Sequence, residues 1–337
     1  MKTILTLLSV LIIAVTFSGN TFSQHKNTHK KSRKVSEKLP SWVIKKNLIV
    51  NSKLEPRNDL IKSLFDKLEA SEGIGTKVTK TEFLRLFNRK ESRIVYKDKL
   101  IKYATPKSQI IQKAEHDNYT NYLLKQEKIL EGVDFLYKYS DILDKAESKY
   151  GVYKQDLVSI LMWESGLGKF TGNSRVFNIF MAQILFIDSA QKFALNKLIK
   201  KEGVDPFADS SFRAQEQKRL SHRKSYAVDG LAALLRYCKE KGMDPLDQKG
   251  SWGGAIGYVQ FMPFNLHYAV DADSNGVIDL KGWPDAIYNA ANYLKVKGNY
   301  SKDEKGRREA IFQYNHSDEY VNGVILYSDE IHKRSLQ

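Results

Sequence analysis

The chain carries one cysteine among 337 residues, Cys238, so no disulfide can form within it. That thiol also lies far from the N-terminus, where a lipidated cysteine would have to sit. It falls in the stretch LAALLRYCKEKG, which reads as helix, and is most simply a buried small hydrophobe. The seven histidines stand in no HExxH context, which excludes zinc sites of that pattern. Seven prolines, few strand-like runs and no internal repeat leave a mainly α picture. No RNP motif, zinc finger or helix-turn-helix is present, so nucleic acid is not the expected partner. Negative charge is also short, with 39 acidic against 54 basic side chains and a formal net charge of +15. Such a balance favours an anionic partner, either an envelope surface or a cell-wall polymer.

No apolar run is long enough for a comfortable membrane span. The run at residues 4–15 follows the basic Lys2 and leads into small and polar residues, with Ser23 a suitable residue before a cut. Residues 1–23 therefore read as a cleaved signal peptide, which makes the protein exported, in the periplasm or cell envelope, with no lipid anchor expected. Residues 24–40 form a basic, aperiodic and flexible linker, with a possible electrostatic contact to anionic envelope surfaces. Beyond it the composition is globular: 42% hydrophobic and 28% charged over the whole chain. Residues 41–140 read as an N-terminal helical region and 141–337 as a core. Residues 58–70 are amphipathic, residues 81–87 open another helix, and residues 92–104 have strand-like composition. Residues 118–150 read as one or two long helices and 176–200 as another. Residues 205–227 are polar and irregular in pattern, an excursion on the surface or in a groove, and 230–241 form a core helix.

Residues 150–170, YGVYKQDLVSILMWESGLGKF, organise the rest. Gly151 suits the left-handed closure of a preceding helix, and Gly166 and Gly168 stop the next one. Between them Leu157, Ile160, Leu161 and Glu164 fall at i, i+3, i+4 and i+7, on one face. That face is apolar up to its last member, a carboxylic acid. Loss of solvation there disfavours the charged form and raises the pKa, as a general acid near neutral pH requires. On this segment alone a glutamate leaning into solvent at a frayed helix end is the simpler reading; the motifs further along reverse that preference.

Three further stretches carry chemistry. In residues 251–263, SWGGAIGYVQFMP, three glycines among the first seven residues shape a tight loop, with Trp252, Phe261 and Met262 as apolar anchors. Ser251 and Gln260 supply hydrogen-bonding groups, and aromatic faces beside amides suit a sugar; a structural loop fits equally well. In residues 271–285, Asp271, Asp273 and Asn275 stand at positions 1, 3 and 5 of a calcium loop, with Gly276 at the sharp turn. Val277 offers its carbonyl at position 7. Position 12 is Gly282 where a bidentate acid belongs, and Asp285 closes a longer loop instead. Carboxylates this crowded repel one another unless a cation sits among them, so Ca2+ is the expected, structural cofactor. In residues 312–320, FQYNHSDEY, Tyr314 and Asn315 precede an amphipathic helix.

In this order the four stretches resemble the membrane-bound lytic murein transglycosylase B family, from residue 42 to the C-terminus. The matching residues are Tyr150-Gly151-Val152 leading to Glu164, Ser251 to Ala255 with Gln260 to Pro263, the Asp271 to Asp285 loop running into Ala291-Asn292-Tyr293-Leu294, and Tyr314-Asn315. The lipidation cysteine of some members is missing. The resemblance implies a mainly α fold with a lysozyme-like catalytic core, an EF-hand-like calcium loop and an N-terminal helical subdomain. It implies peptidoglycan glycan strands as the partner, Glu164 as sole acid/base, and sugar subsites lined by Ser251, Gln260, Tyr314 and Asn315, to which the loop's own composition adds Trp252 and Phe261. The expected reaction cleaves the MurNAc-GlcNAc β-1,4 bond and leaves a 1,6-anhydro-MurNAc end. The alternatives are a muramidase-type hydrolase in which water attacks, and a non-catalytic wall-binding protein.

Overall fold

The computed structural model describes residues 59–70, 78–106 and 109–337. The expected signal peptide and basic linker lie outside the described residues. Helix α1 (Asp59–Ala70) buries Leu64, Phe65 and Leu68. Helix α2 (Lys80–Leu86) opens on a reciprocal cap: the Thr79 side chain accepts from the Glu82 N–H, and the Glu82 carboxylate accepts from the Thr79 N–H.

The strand-like segment after it is not a strand. It forms a 3-10 turn (Lys90–Arg93) and helix α3 (Lys97–Ala104). Leu100, Tyr103 and Ala104 recur at helical spacing and are buried, whereas the β-branched Ile94 is left exposed with no strand among the described residues to pair it. Where the sequence predicts one or two long helices over residues 118–150, residues 109–150 form three: α4 (Gln109–Leu123), α5 (Gln126–Lys138) and α6 (Ser140–Tyr150). The breaks at Leu124–Lys125 and Tyr139 carry neither Gly nor Pro, so nothing in the pattern announces them. Gly151 closes α6 at φ 67°, as its position predicts.

Helix α7 (Lys154–Ser165) lies at the centre, packed by α5 and α6 and by two later helices, α10 (Trp283–Asn292) and α12 (Asp318–Ser335). The single apolar stripe expected for α7 is an underestimate. All residues from Asp156 to Trp163 are buried, because neighbours surround the helix, and in its last turn Glu164 is partly exposed. A long pair follows, α8 (Val176–Glu202) and α9 (Ser210–Glu240), joined through a 3-10 turn at Pro206–Ala208. The polar stretch 205–227 is thus helical from residue 210 onward. Asp209 caps it by accepting from the Ser211 and Phe212 N–H groups. Its apolar period is hidden because one inward position is Glu216, 3% exposed, whose charge Arg219 satisfies at 2.7 Å.

Two short strands, β1 (Ser174–Arg175) and β2 (Lys249–Gly250), pair antiparallel and tie the segment after α7 to the glycine-rich loop. The chain closes with α10, a π turn at Tyr293–Lys297, α11 (Glu304–Tyr314) and α12. Cys238 is buried, as expected.

Candidate active site

Glu164 stands in the last turn of α7. Gly166 turns the chain left-handed at φ 58°, and its N–H donates to the Met162 carbonyl at 2.9 Å while that of Leu167 returns to Leu161 at 3.1 Å. This closure ends the helix one residue past the carboxylate and holds it at the groove. Glu164 is half-buried, and its Oε1 accepts a 2.8 Å hydrogen bond from the Tyr320 hydroxyl. Burial pushes its carboxyl up to about 8, against the opposing pull of that hydroxyl. These are the two influences on it: no second carboxylate and no cation among the described residues shifts it.

Tyrosines form the surroundings. Tyr119, Tyr293, Tyr314 and Tyr320 are held neutral by burial, and the Glu164 charge pushes each of them further up. Three of these hydroxyls are committed to backbone: Tyr314 donates to Val259 O at 2.7 Å, Tyr293 to Gln313 O at 3.1 Å and Tyr119 to Trp163 O at 3.4 Å. Trp163 meets Tyr119 and Tyr320 edge-on at 5.0 and 5.1 Å between ring centroids. Tyr293 enters from the π turn, a local widening that re-aims side chains and recurs at functional sites. The carboxyl therefore sits among fixed, uncharged donors.

The glycine-rich loop builds the adjoining wall. Ser251 N–H donates to Ala255 O at 2.8 Å, and the Ser251 hydroxyl accepts from Ala255 N–H at 3.1 Å. Ile256 and Phe261 exchange backbone hydrogen bonds at 2.8 and 3.0 Å. Gly254 adopts φ 100°, and a Cβ there would lie 2.3 Å from the Phe180 ring, so both conformation and space require glycine. Gln260 takes φ 49° and closes the inner turn with Nε2 on Gly257 O at 2.7 Å.

Of the residues singled out in the sequence, Tyr314 lies beside Glu164. Phe261 does not face the groove: it is 2% exposed and backs the Tyr293 and Tyr314 rings at 5.4 and 6.2 Å. Asn315 follows Tyr314 and keeps a buried Oδ1 that no hydrogen-bond donor among the described residues meets. Trp252 sits further along, edge-on to Tyr103 at 5.5 Å. Beside it the Arg223 guanidinium stacks 4.1 Å from the Tyr103 ring, and Tyr226 meets Phe264 edge-on at 4.7 Å. The Tyr226 phenol, raised mainly by burial, also feels Tyr103 and Tyr293. A row thus runs from Trp252 through Tyr103, Tyr226, Tyr293 and Tyr314 to Glu164.

Sequence reasoning missed Tyr103, Tyr119, Arg223, Tyr226, Tyr293 and Tyr320. Tyr103 sat in the segment read as strand, and Arg223 and Tyr226 in the one read as irregular. The usable signal was the tyrosine count of 18, high for a core that could use Phe.

The aspartate loop brings Asp271, Asp273 and Asp285 together, with one oxygen of each within 4.8 Å of the others. Asp285 anchors the loop by accepting from Ala272 and Asp279 N–H, both at 2.7 Å, and Asp271 accepts from Gly276 N–H at 2.7 Å. Asn275 Oδ1 accepts from Val277 N–H at 2.8 Å. Gly282, where a twelfth-position acid belongs, instead precedes α10, and Asp285 in the first turn of α10 takes that place. Three converging carboxylates are a donor set fit for a hard divalent cation.

A family model described as the transglycosylase SLT domain matches residues 61–309, that is 249 of 337. Over 181 residues, 53% of this chain, the sequence is 30% identical to membrane-bound lytic murein transglycosylase B of Escherichia coli strain K12; the match spans 41% of that protein's length. The solved structure of the Escherichia coli lytic transglycosylase Slt35 in complex with calcium is similar, with a TM-score of 0.61 and 18% identity over 84% of this chain and 95% of that one. So is SltB3 from Pseudomonas aeruginosa in complex with NAG-anhNAM-pentapeptide, with a TM-score of 0.56 and 18% identity over 81% and 79% of the two chains. At such identities the structural likeness establishes a shared fold, lysozyme-like and mainly α. With the family model covering most of its length, the chain belongs to the transglycosylase SLT domain family.

Proposed function

We propose that this protein is a peptidoglycan lytic transglycosylase in which Glu164 acts first as acid and then as base. The observation that carries the reading is a carboxyl pushed up to about 8 and enclosed by neutral phenols, with no second carboxylate among the described residues shifting it. Most glycosidases that use water place two carboxylates across the scissile bond. With one, the carboxylate left by the first proton transfer is the base at hand, and a hydroxyl of the substrate is the nucleophile this reading assigns to it.

Protonated Glu164 gives its proton to the glycosidic oxygen between N-acetylmuramic acid and N-acetylglucosamine as the C1–O4 bond breaks. The acetamido group and the surrounding dipoles stabilise the cationic ring. The Glu164 carboxylate then takes the proton of the muramic acid 6-hydroxyl while O6 bonds to C1. Water is not consumed, and Glu164 is protonated again. Tyr320 steadies the carboxylate form between the two transfers through its 2.8 Å hydrogen bond. Ser251, Trp252, Gln260, Tyr314 and Asn315 line the sugar subsites, with Phe261 supporting Tyr314 from behind. The buried, unmet Oδ1 of Asn315 suits an acetamido N–H or a sugar hydroxyl. The SltB3 ligand, NAG-anhNAM-pentapeptide, is consistent with this substrate class.

Asp271, Asp273 and Asp285, with Asn275 and the Val277 carbonyl, hold a structural Ca2+ in this reading, and the calcium complex of Slt35 supports it. The cation cross-links the loop and supplies no chemistry to the reaction. Residues 1–23 export the protein, residues 24–40 tether the folded part loosely to an anionic envelope, and residues 41–140 form a helical region ahead of the catalytic core.

The direct test is Glu164→Gln, which keeps shape but cannot donate the proton. Turnover of purified peptidoglycan should fall by about 10²–10⁴-fold while cooperative folding and wall binding persist. A variant that retains a third of wild-type turnover would place the chemistry elsewhere.

A further inference from the structure

Helix α4 reaches the surroundings of Glu164 with two residues of one face, Tyr119 and, one turn earlier, His116. Tyr119 donates to the Trp163 carbonyl. His116, which the mechanism above does not use, is half-buried and stands edge-on to the Trp163 ring at 6.3 Å between centroids. Its Nδ1 lies 3.1 Å from the hydroxyl of Ser317, a residue 1% exposed at the N-cap of α12. That hydroxyl also accepts from the Tyr320 N–H at 3.3 Å and meets Glu319 Oε2 at 2.9 Å. The Ser317 N–H donates to Asn315 O at 2.7 Å. One serine thus closes the segment that carries Tyr314 and opens the turn that carries Tyr320.

The proton count fixes the direction of the histidine contact. A serine hydroxyl has one proton and two lone pairs, and an ionised carboxylate can only accept. Ser317 therefore gives its proton to Glu319 and receives from the Tyr320 N–H and from His116 Nδ1–H. Glu319 keeps the charge this needs. Burial opposes that charge, but its own N–H, the Ser317 hydroxyl and the charges of His116 and Lys113 hold the carboxyl below its usual value. The neutral Nδ1–H tautomer and the imidazolium both donate at the same atom, so the contact outlasts the titration of the ring. A capping hydroxyl held by three partners is pinned in one rotamer, which leaves the first turn of α12 little freedom. In that turn the Tyr320 hydroxyl meets Glu164 at 2.8 Å. A ring without a nitrogen would fill the same space beside Trp163 and leave Ser317 one partner short.

We propose that His116 is a positioning residue for the acid: its Nδ1–H, held on Ser317, sets the turn of α12 that aims the Tyr320 hydroxyl at Glu164. The proposal rests on the reading of Glu164 as the acid of a peptidoglycan-cleaving enzyme, but part of its test needs no turnover. His116→Phe keeps a ring beside Trp163 and loses the donor, whereas His116→Asn keeps a donor near the place of Nδ1. Each is made alone and together with Tyr320→Phe. The alkaline limb of kcat is read from pH profiles on purified peptidoglycan. The Glu164 carboxyl is also titrated directly by carbon NMR, its signal identified by its loss in Glu164→Gln. Burial raises the Glu164 pKa and the Tyr320 hydroxyl draws it down, so a slackened Tyr320 lets it rise further. His116→Phe should move both readouts up by about half a unit, part of what a lost hydrogen bond to a carboxylate is worth. His116→Asn should return them to wild type, and His116→Phe should add nothing once Tyr320 is Phe. Ser317→Ala, which removes the contact from its other side, should move them in the same direction. A His116→Phe or Ser317→Ala protein that titrates like wild type overturns the proposal. So does a shift that His116→Asn fails to restore, or one that persists in full with Tyr320→Phe. If wild type cleaves no glycan yet the carboxyl titration moves as stated, the catalytic reading fails and the positioning of Glu164 stands.

Discussion

At the scale of single residues, Glu164 was legible because two signals coincide in the sequence: an apolar helical face ending in an acid, and glycines that end the helix just beyond it. Its partner was not legible. Tyr320 lies 156 positions away, and nothing in a single sequence links two such residues. The pair makes a pH prediction. Glu164 must be protonated to act as the acid, so kcat should fall as pH rises through about 8. The Tyr320 hydroxyl draws that pKa down, so Tyr320→Phe should move the alkaline limb to higher pH. Stability carries the same sign. Because the folded value lies above the ordinary 4.5, the folded state holds a proton that the unfolded chain releases, and wild type loses stability as pH rises from about 4.5 to about 8. Glu164→Gln has no proton to lose, so its melting temperature should gain on wild type across that window. Parallel melting curves, or an alkaline limb near pH 4.5, would place the carboxyl in solvent.

At the scale of elements, the sequence exposed what apolar period and caps declare and hid what buried charge disguises. Helices α6, α7 and α12 were readable for the first reason. Residues 205–227 were not, because Glu216 occupies an inward position, and the breaks between α4, α5 and α6 lack any turn residue. The same disguise covers the joint that aims α7. Asp156, in its first turn, is fully buried and accepts from Arg307 Nη2 at 2.6 Å, from Tyr300 at 2.6 Å and from Ser328 at 2.6 Å. One carboxylate thereby fastens α7 to α11, α12 and the loop between α10 and α11. A carboxylate in the first turn also suits the helix dipole. Removing one partner of a buried pair leaves the other charge unmet, so Asp156→Ala should cost about 3–5 kcal/mol in denaturant unfolding. Replacing both, Asp156→Leu with Arg307→Met, should cost less than Asp156→Ala alone. A loss under about 1 kcal/mol for Asp156→Ala would mean the joint does not hold the helix.

At the scale of the whole molecule, the net charge of +15 misdirects if it is spread evenly over the fold. Eleven basic and only two acidic side chains precede residue 59, so most of the excess belongs to the segment before the helical body. From residue 59 onward the chain is closer to balance, and the wall-polymer recognition proposed above would rest on tyrosines and amides more than on a basic face. The aspartate loop should govern its stability. A cation that binds only the folded state adds about 2.7 kcal/mol at a hundred times its dissociation constant. Millimolar Ca2+ should therefore raise the melting temperature of chelator-treated protein, and Asp271→Ala with Asp273→Ala should abolish that rise; an unchanged wild-type melt would count against the site. The central claim, that one carboxyl serves as both acid and base because the substrate supplies the nucleophile, is tested most directly by its product. Positioning the 6-hydroxyl in the tyrosine-lined groove can contribute roughly 7–11 kcal/mol to the barrier, enough for internal capture to outrun water. Mass spectrometry of the muropeptides released from purified peptidoglycan should find ends in 1,6-anhydro-N-acetylmuramic acid, lighter by one water than hydrolysed ends and without a reducing group. Reducing ends released in proportion to bonds cut would show that water attacks, and would contradict the single-carboxyl mechanism.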